Sequence, residues 1–365
     1  MKCSFCFLEM AAQDNKISSR IDELDALRGI AAILVVIFHC TMLHDAYTFT
    51  YGAAGVELFF IISGFVIFMT LNHVRSAKDF VINRFARLYP IYWFCVLLTF
   101  ILMLFHNNMG NNTTATSPPY FQLAANMTMM QRYFGIQDLD GPYWSLAVEL
   151  AFYAVMLLLY TYKAIKKTIH VLMAVMAVEF AVALATQNFP ANGVLTGISV
   201  CSNYLYLIHF LPLFLSGVIF YHIYTEEGTT SRYIGILFCY FAQIAEYPNR
   251  HVDMFGLKPS GYAAELAVFY ILFLLFVHKK AGFLVNRLTL FTGRISYALY
   301  LFHQYIILNF IIPYFDTKLK WPYFLTCLAA IVIVVIIAAV NTLYIDEPLR
   351  RKVKLLLTGN KKILR

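Results

Sequence analysis

The sequence predicts an all-α fold: a polytopic membrane helix bundle of about ten transmembrane helices, both termini cytoplasmic. Three observations predict it. Hydrophobic residues make up 61% of the 365 and charged residues 13%, against about 45–50% and about 25% in soluble domains. Apolar runs follow one another to the C-terminus, each too long and too uniform for a strand, and in lipid the backbone must satisfy itself as helix. Lysine and arginine alternate between the connecting loops in a way that sets orientation.

In chain order, residues 1–20 form a mixed polar tail without the basic-then-apolar order of a secretory signal. Spans are expected near 27–44, 55–72, 89–106, 144–161, 168–186, 204–224, 233–247, 261–278, 293–312 and 322–344. Residues 21–352 thus make one membrane domain, and 353–365 a basic cytoplasmic tail. With the N-terminus inside, only Arg132, Arg250, Lys258, Lys318 and Lys320 of the 28 basic residues fall outside. The net charge of +8 is therefore topological, and nucleic acid is not an expected partner; the lipid bilayer is. The longest loop, about 106–143, lies outside and holds N-x-T triplets at Asn111, Asn112 and Asn126. Gly193 and Gly197 suggest an irregular piece before the sixth span. Cys40, Cys95, Cys201, Cys239 and Cys327 lie in apolar stretches, so no disulfide framework follows. Cys3 and Cys6 form a lone C-x-x-C, and zinc wants four ligands, so no metal site is expected.

An ionisable group inside a span costs about 2.5–3.5 kcal/mol on insertion scales, so it marks function or a paired structural role. The set here is Arg28, His39, Glu57, Glu149, Glu179, His209, Glu265 and His303. Arg28 and His39 are eleven residues apart, about 16 Å along a helix and on nearly the same face. Glu57 opens the second span and Glu149 lies one turn into the fourth, so His39, Glu57 and Glu149 are expected at one level of the outer half. Arg84 and Arg87 share a helix face at the cytoplasmic mouth and, with Arg28, could bind phosphates through their planar forks. Against these readings stand topology anchors for the arginines, a structural carboxylate for Glu57 or Glu149, satisfied core histidines for His209 and His303, and helix-packing groups for Glu179 and Glu265.

The runs around these groups resemble the acyltransferase 3 family of integral membrane O-acyltransferases. They are LDALRGIAAILVVIFH with Arg28 and His39, GVELFFIISGFVI with Glu57 and Ser63, NRFARLYPIYW with Arg84 and Arg87, WSLAVELAFY with Trp144, Ser145 and Glu149, GRISYALYLFH with Tyr297 and His303, and DEPLRR. The family often has Asp where this chain has Glu57. The resemblance implies transfer of an acyl group, most often acetyl, from cytoplasmic acyl-CoA to a carbohydrate hydroxyl across the membrane. The acceptor would be a glycan or glycolipid and the location the inner (cytoplasmic) membrane. It implies donor binding by Arg28, Arg84 and Arg87 and catalytic roles for His39, Glu149 and Glu57. Ser63, Trp144, Ser145, Tyr297 and His303 would support them. His39 would act as general base, since an imidazole accepts and releases protons near neutrality. The thioester is already activated, so no tightly bound cofactor is expected; acyl-CoA, acetyl-CoA first of all, is the donor substrate. Direct transfer and an acyl-enzyme relay both fit. Some relatives carry a soluble esterase-like domain after the membrane part; any such step would here fall to another protein. The competing class is a secondary transporter or flippase, which also uses buried carboxylates and a polar cavity.

Overall fold

The computed structural model describes residues 21–44, 47–109, 120–188, 205–247 and 256–358, with Gly193 and Gly197. The expected tail 1–20, the C-x-x-C at Cys3 and Cys6, Cys201, Asn111 and Asn112, most of the 193–197 piece and the end of the basic tail lie outside the described residues. Those described are mainly helical, with no strand among them.

Ten long helices match the apolar runs: α1 (Asp22–Thr41), α2 (Gly55–His73), α3 (Ala77–Met109), α4 (Tyr143–Thr161), α5 (Thr168–Asn188), α6 (Leu211–Thr225), α7 (Thr230–Ala245), α8 (Pro259–Val277), α9 (Arg287–Ile306) and α10 (Tyr323–Asn341). Eight helical stretches among the described residues are long and apolar enough to cross a membrane. The other two expected spans are helices outside that set, α5 and α7, and α7 has only 16 residues. The protein is a multi-pass membrane helix bundle.

Three elements differ from the sequence expectation. Helix α3 starts twelve residues before the expected 89, because Ser76 Oγ accepts the backbone N–H of Asp79 at 3.1 Å and caps it. This puts Arg84 and Arg87 inside a helix that runs through Pro90. Residues 353–358 of the expected tail are helical and end α11 (Glu347–Thr358), joined to α10 through the π-helical turn Thr342–Asp346. The segment after α3 is no plain outer loop. A short helix, Tyr120–Met127, folds back on α3, where Tyr92 Oη donates to Asn126 O at 2.7 Å and Trp93 Nε1 to Met127 O at 2.8 Å. Asn126 is fully buried, donating to Gln122 O and Gln137 O and accepting from Leu139 N–H. Its N-x-T triplet is therefore a packing element.

Lipid tails supply no hydrophobic drive between helices, so close packing must hold them, and small residues let backbones approach. Two glycine pairs do this. A Cβ on Gly29 of α1 would collide with Thr292 Oγ1 on α9, and one on Gly293 of α9 with Asp25 O on α1. Likewise a Cβ on Gly64 of α2 would hit Phe214 O on α6, and one on Gly217 would hit Ile61 O. The first crossing locks α1 to α9 beside Arg28 and sets the register in which His39 meets His303.

Candidate active site

A cleft of about 710 Å³, its open mouth included, lies among α1, α2, α3, α4 and α9. Arg28, Arg84 and Arg87 line it together. Arg28 Nη1 donates to Asp25 Oδ1 at 3.2 Å, one turn earlier on α1. Arg84 Nη2 donates to Thr70 Oγ1 at 3.2 Å, and the guanidinium carbon stands 5.8 Å from the Phe80 ring centre and 5.9 Å from that of Tyr153. Its Nε is buried without a hydrogen-bond partner. Arg87 shares the electrostatic field of Asp346, which the π-helical turn below α10 brings to this end. Arg294 on α9 grips Glu347 with two hydrogen bonds of 2.8 Å and so fixes α11 beside the same mouth.

Glu149 also lines the cleft, and its Oε1 accepts from Ser63 Oγ of α2 and from Tyr153 Oη one turn on in α4. The carboxylate is thus aimed at the arginines, whose charges it offsets. Toward the other end the lining turns aromatic, with Phe59, Phe60 and Tyr300 beside Ser145. Ser145 Oγ and Tyr300 Oη lie 2.7 Å apart. Tyr297 lines the cleft and donates from Oη to Leu88 O at 3.0 Å. Trp144 packs beside it against Phe60 and Phe210, with Arg132 over its ring face.

His39 is not in the cleft wall. It pairs with His303: His39 Nδ1 is 3.2 Å from His303 Nε2, and the ring centres are 4.8 Å apart. His39 Nδ1 also lies 2.9 Å from Val35 O, and His303 Nδ1 lies 2.8 Å from Tyr300 O. A carbonyl only accepts, so each Nδ1 carries its ring's proton. His303 Nε2 is then the acceptor for His39 Nδ1–H, and His39 Nε2 is the nitrogen without a proton, with the Gln304 side chain also hydrogen-bonded to the ring. Tyr300 links the two regions, since it lines the cleft and stands 5.8 Å from the His303 ring.

The expected level shared by His39, Glu57 and Glu149 does not form. Ser63, the partner of Glu149, lies six residues further along α2 than Glu57, so Glu149 sits deeper, with the arginines. Glu57 is fully buried, absent from the cleft wall, and couples electrostatically to Glu265 of α8. Helix ends alone set the expected depths, and side-chain reach across a helix pair moved them. Two residues of the site went unnoticed in the sequence. Tyr153 was within reach of a local rule, being four residues after Glu149 on one helix face. Tyr300 had no signal, because only the α4–α9 contact pairs it with Ser145.

Residues 21–340 match the family model described as Acyltransferase domain. The chain belongs to this family. It is a membrane acyltransferase. Among relatives, ORF330 of Acidianus two-tailed virus is 22% identical over 315 residues, 82% of this chain and 88% of that one. The O-acetyltransferase OatA of Staphylococcus aureus is 24% identical over 379 aligned residues, 90% of this chain and 57% of its own. The peptidoglycan O-acetyltransferase OatA of Listeria monocytogenes is 29% identical over 149 residues, 37% of this chain. The match spans 57% of the length of the first OatA and 23% of the second. No solved structure matches.

Proposed function

We propose that this acyltransferase moves an acetyl group from cytoplasmic acetyl-CoA to a hydroxyl of a glycan or glycolipid on the other side of the inner (cytoplasmic) membrane. In this reading the chain crosses ten times and keeps both termini inside. The observation that carries it is a single cleft with three arginines at one end and, behind Tyr300 at the other, a histidine whose tautomer leaves one ring nitrogen basic. The names of the OatA relatives favour acetyl as the acyl group and a cell-surface polymer as acceptor.

Each element then has a task. The arginine forks hold the donor's phosphates, for which bidentate charge-assisted hydrogen bonds suit them. Glu149, clamped by Ser63 and Tyr153, keeps the guanidinium groups spaced without closing on them. The pantetheine arm spans the roughly 16 Å that eleven helical residues cover between Arg28 and His39. His39 Nε2 takes the acceptor's hydroxyl proton as the oxygen attacks the thioester carbonyl. The imidazolium is steadied through Nδ1–H on His303 Nε2 and Val35 O. CoA leaves as the thiol on collapse of the tetrahedral intermediate, and His39 returns to neutral.

The test uses full-length protein in nanodiscs with acetyl-labelled CoA and a soluble glycan acceptor. The expected result is acceptor-dependent release of free CoA with label appearing on the glycan. Absence of CoA release by folded protein that still moves glycan across a proteoliposome membrane would replace the transferase reading by a transporter.

A further inference from the structure

We propose that Glu179, His209 and Glu246 form a site for one divalent cation of the zinc class, which staples three helical elements at the edge of the bundle away from the cleft. Glu179 comes from α5, His209 from the 3-10 turn that leads into α6, and Glu246 from the residue that ends α7. Among the described residues this is the one place where three such ligand atoms converge, all within 4.8 Å of one another. His209 Nδ1 is 2.8 Å from Glu246 Oε2 and 3.8 Å from Glu179 Oε1. Zinc bound at about 2.0–2.2 Å by tetrahedral ligands separates neighbouring donor atoms by about 3.4 Å. The two distances bracket that value, so small side-chain rotations bring both histidine–carboxylate pairs to zinc spacing.

The surroundings favour an ion over a bare ion pair. The side chains of His209, Glu179 and Glu246 are only 10%, 17% and 17% exposed. Two carboxylates brought this close repel each other, and a cation between them relieves that repulsion. A second observation comes from Gln243, one turn before Glu246 on the same face of α7. It is fully buried, and its Nε2 donates to His209 O at 3.4 Å and to Tyr262 Oη at 3.2 Å. Its Oε1 is a buried acceptor without a hydrogen-bond partner. Imidazole among the donors favours zinc over magnesium, calcium or manganese, which prefer all-oxygen sites. Binding replaces the proton on His209 Nδ1, which goes to solvent, and the remaining position is open to water. The sequence showed nothing of this, because the three ligands are separated by 30 and 37 residues and no spacing rule joins them.

The experiment uses the full chain in detergent, in a Cys3→Ser, Cys6→Ser background so that the C-x-x-C cannot supply a thiolate site. After chelation, zinc, manganese or magnesium is added, and bound metal and melting temperature are measured. The expected result is one zinc per chain, a melting temperature raised by a few degrees, and little response to magnesium. Glu246→Gln and Glu179→Gln should each weaken zinc binding at least tenfold and abolish the shift while the metal-free protein still elutes as a folded species. His209→Gln should do the same; if it does not fold, the two glutamate variants decide. No bound zinc, zinc binding unchanged in the glutamate variants, or an equal response to magnesium would overturn the site and leave a proton-bridged cluster. None of these outcomes depends on acyl transfer.

Discussion

The two ends of the active-site region are built on opposite terms. At the arginine end, charged groups crowd together with few fixed partners: Arg84 keeps a buried Nε unbonded, and Glu149 is held by hydroxyls, away from salt-bridge contact. At the histidine end every ring proton has a destination, in Val35 O, His303 Nε2 and Tyr300 O. Like charges brought together and only partly compensated make a surface that gains by receiving an anion. A ring oriented by a carbonyl and a second ring is set before any ligand arrives, and such orientation costs nothing at the moment of reaction. In the proposed mechanism binding and proton transfer are thus divided between two regions that share one residue, Tyr300.

The sharpest way to break this division is His39→Gln. An amide keeps a donor, an acceptor and most of the volume but cannot take a proton at neutral pH. Acetyl transfer per folded molecule should fall by about 10²-fold or more, with CoA affinity unchanged. Near-normal transfer would move the base elsewhere, Glu149 first. The arginine end should answer differently. Arg84→Ala is expected to raise the KM for acetyl-CoA about tenfold with a smaller change in kcat, since one charge-assisted contact is worth about 1.5–3 kcal/mol at most. Arg84→Lys should recover only part, because the fork is lost. Calorimetry with CoA separates the two ends: if Ala and wild type bind alike, Arg84 is only a topology anchor.

The smallest effect concerns the segment between the ends. Asp140 lies outside the spans, is buried, and accepts the backbone N–H of Tyr305 at 3.3 Å, just after His303. Burial pushes its carboxyl up to about 7, against backbone hydrogen bonds from Tyr305 and Gly141 that pull it down. A raised carboxyl favours the protonated folded state. Its contribution to stability is full below pH about 4 and fades as pH rises through about 7. Melting temperature should therefore decline modestly across that window in wild type and less in Asp140→Asn, whose amide oxygen still accepts both N–H groups. Parallel curves for the two proteins would remove Asp140 from the account.

Much of this molecule was legible beforehand. The apolar runs marked ten long helices, and local spacing put Arg84 and Arg87 on one face and Arg28 on a helix with His39. What went unread depended on contacts between chain segments far apart. Glu149 looked level with Glu57 because depth was counted from helix ends, yet Ser63 holds it a turn and a half lower. The return of Tyr120–Met127 onto α3 rests on carbonyls meeting Tyr92 and Trp93, which no polarity pattern encodes.

By itself, then, the sequence determined the class and the ingredients: helices, because lipid leaves the backbone no other partner, and buried ionisable residues, because they are too costly to keep idle. Tertiary structure decided which ingredients meet. The α1–α9 crossing at Gly29 and Gly293 sets the register of His39 against His303, and a shift of one turn would move either ring by about 5.4 Å and part them. That register comes from steric fit between two helix backbones 264 residues apart at the histidines, and steric fit exists only once both helices are in place.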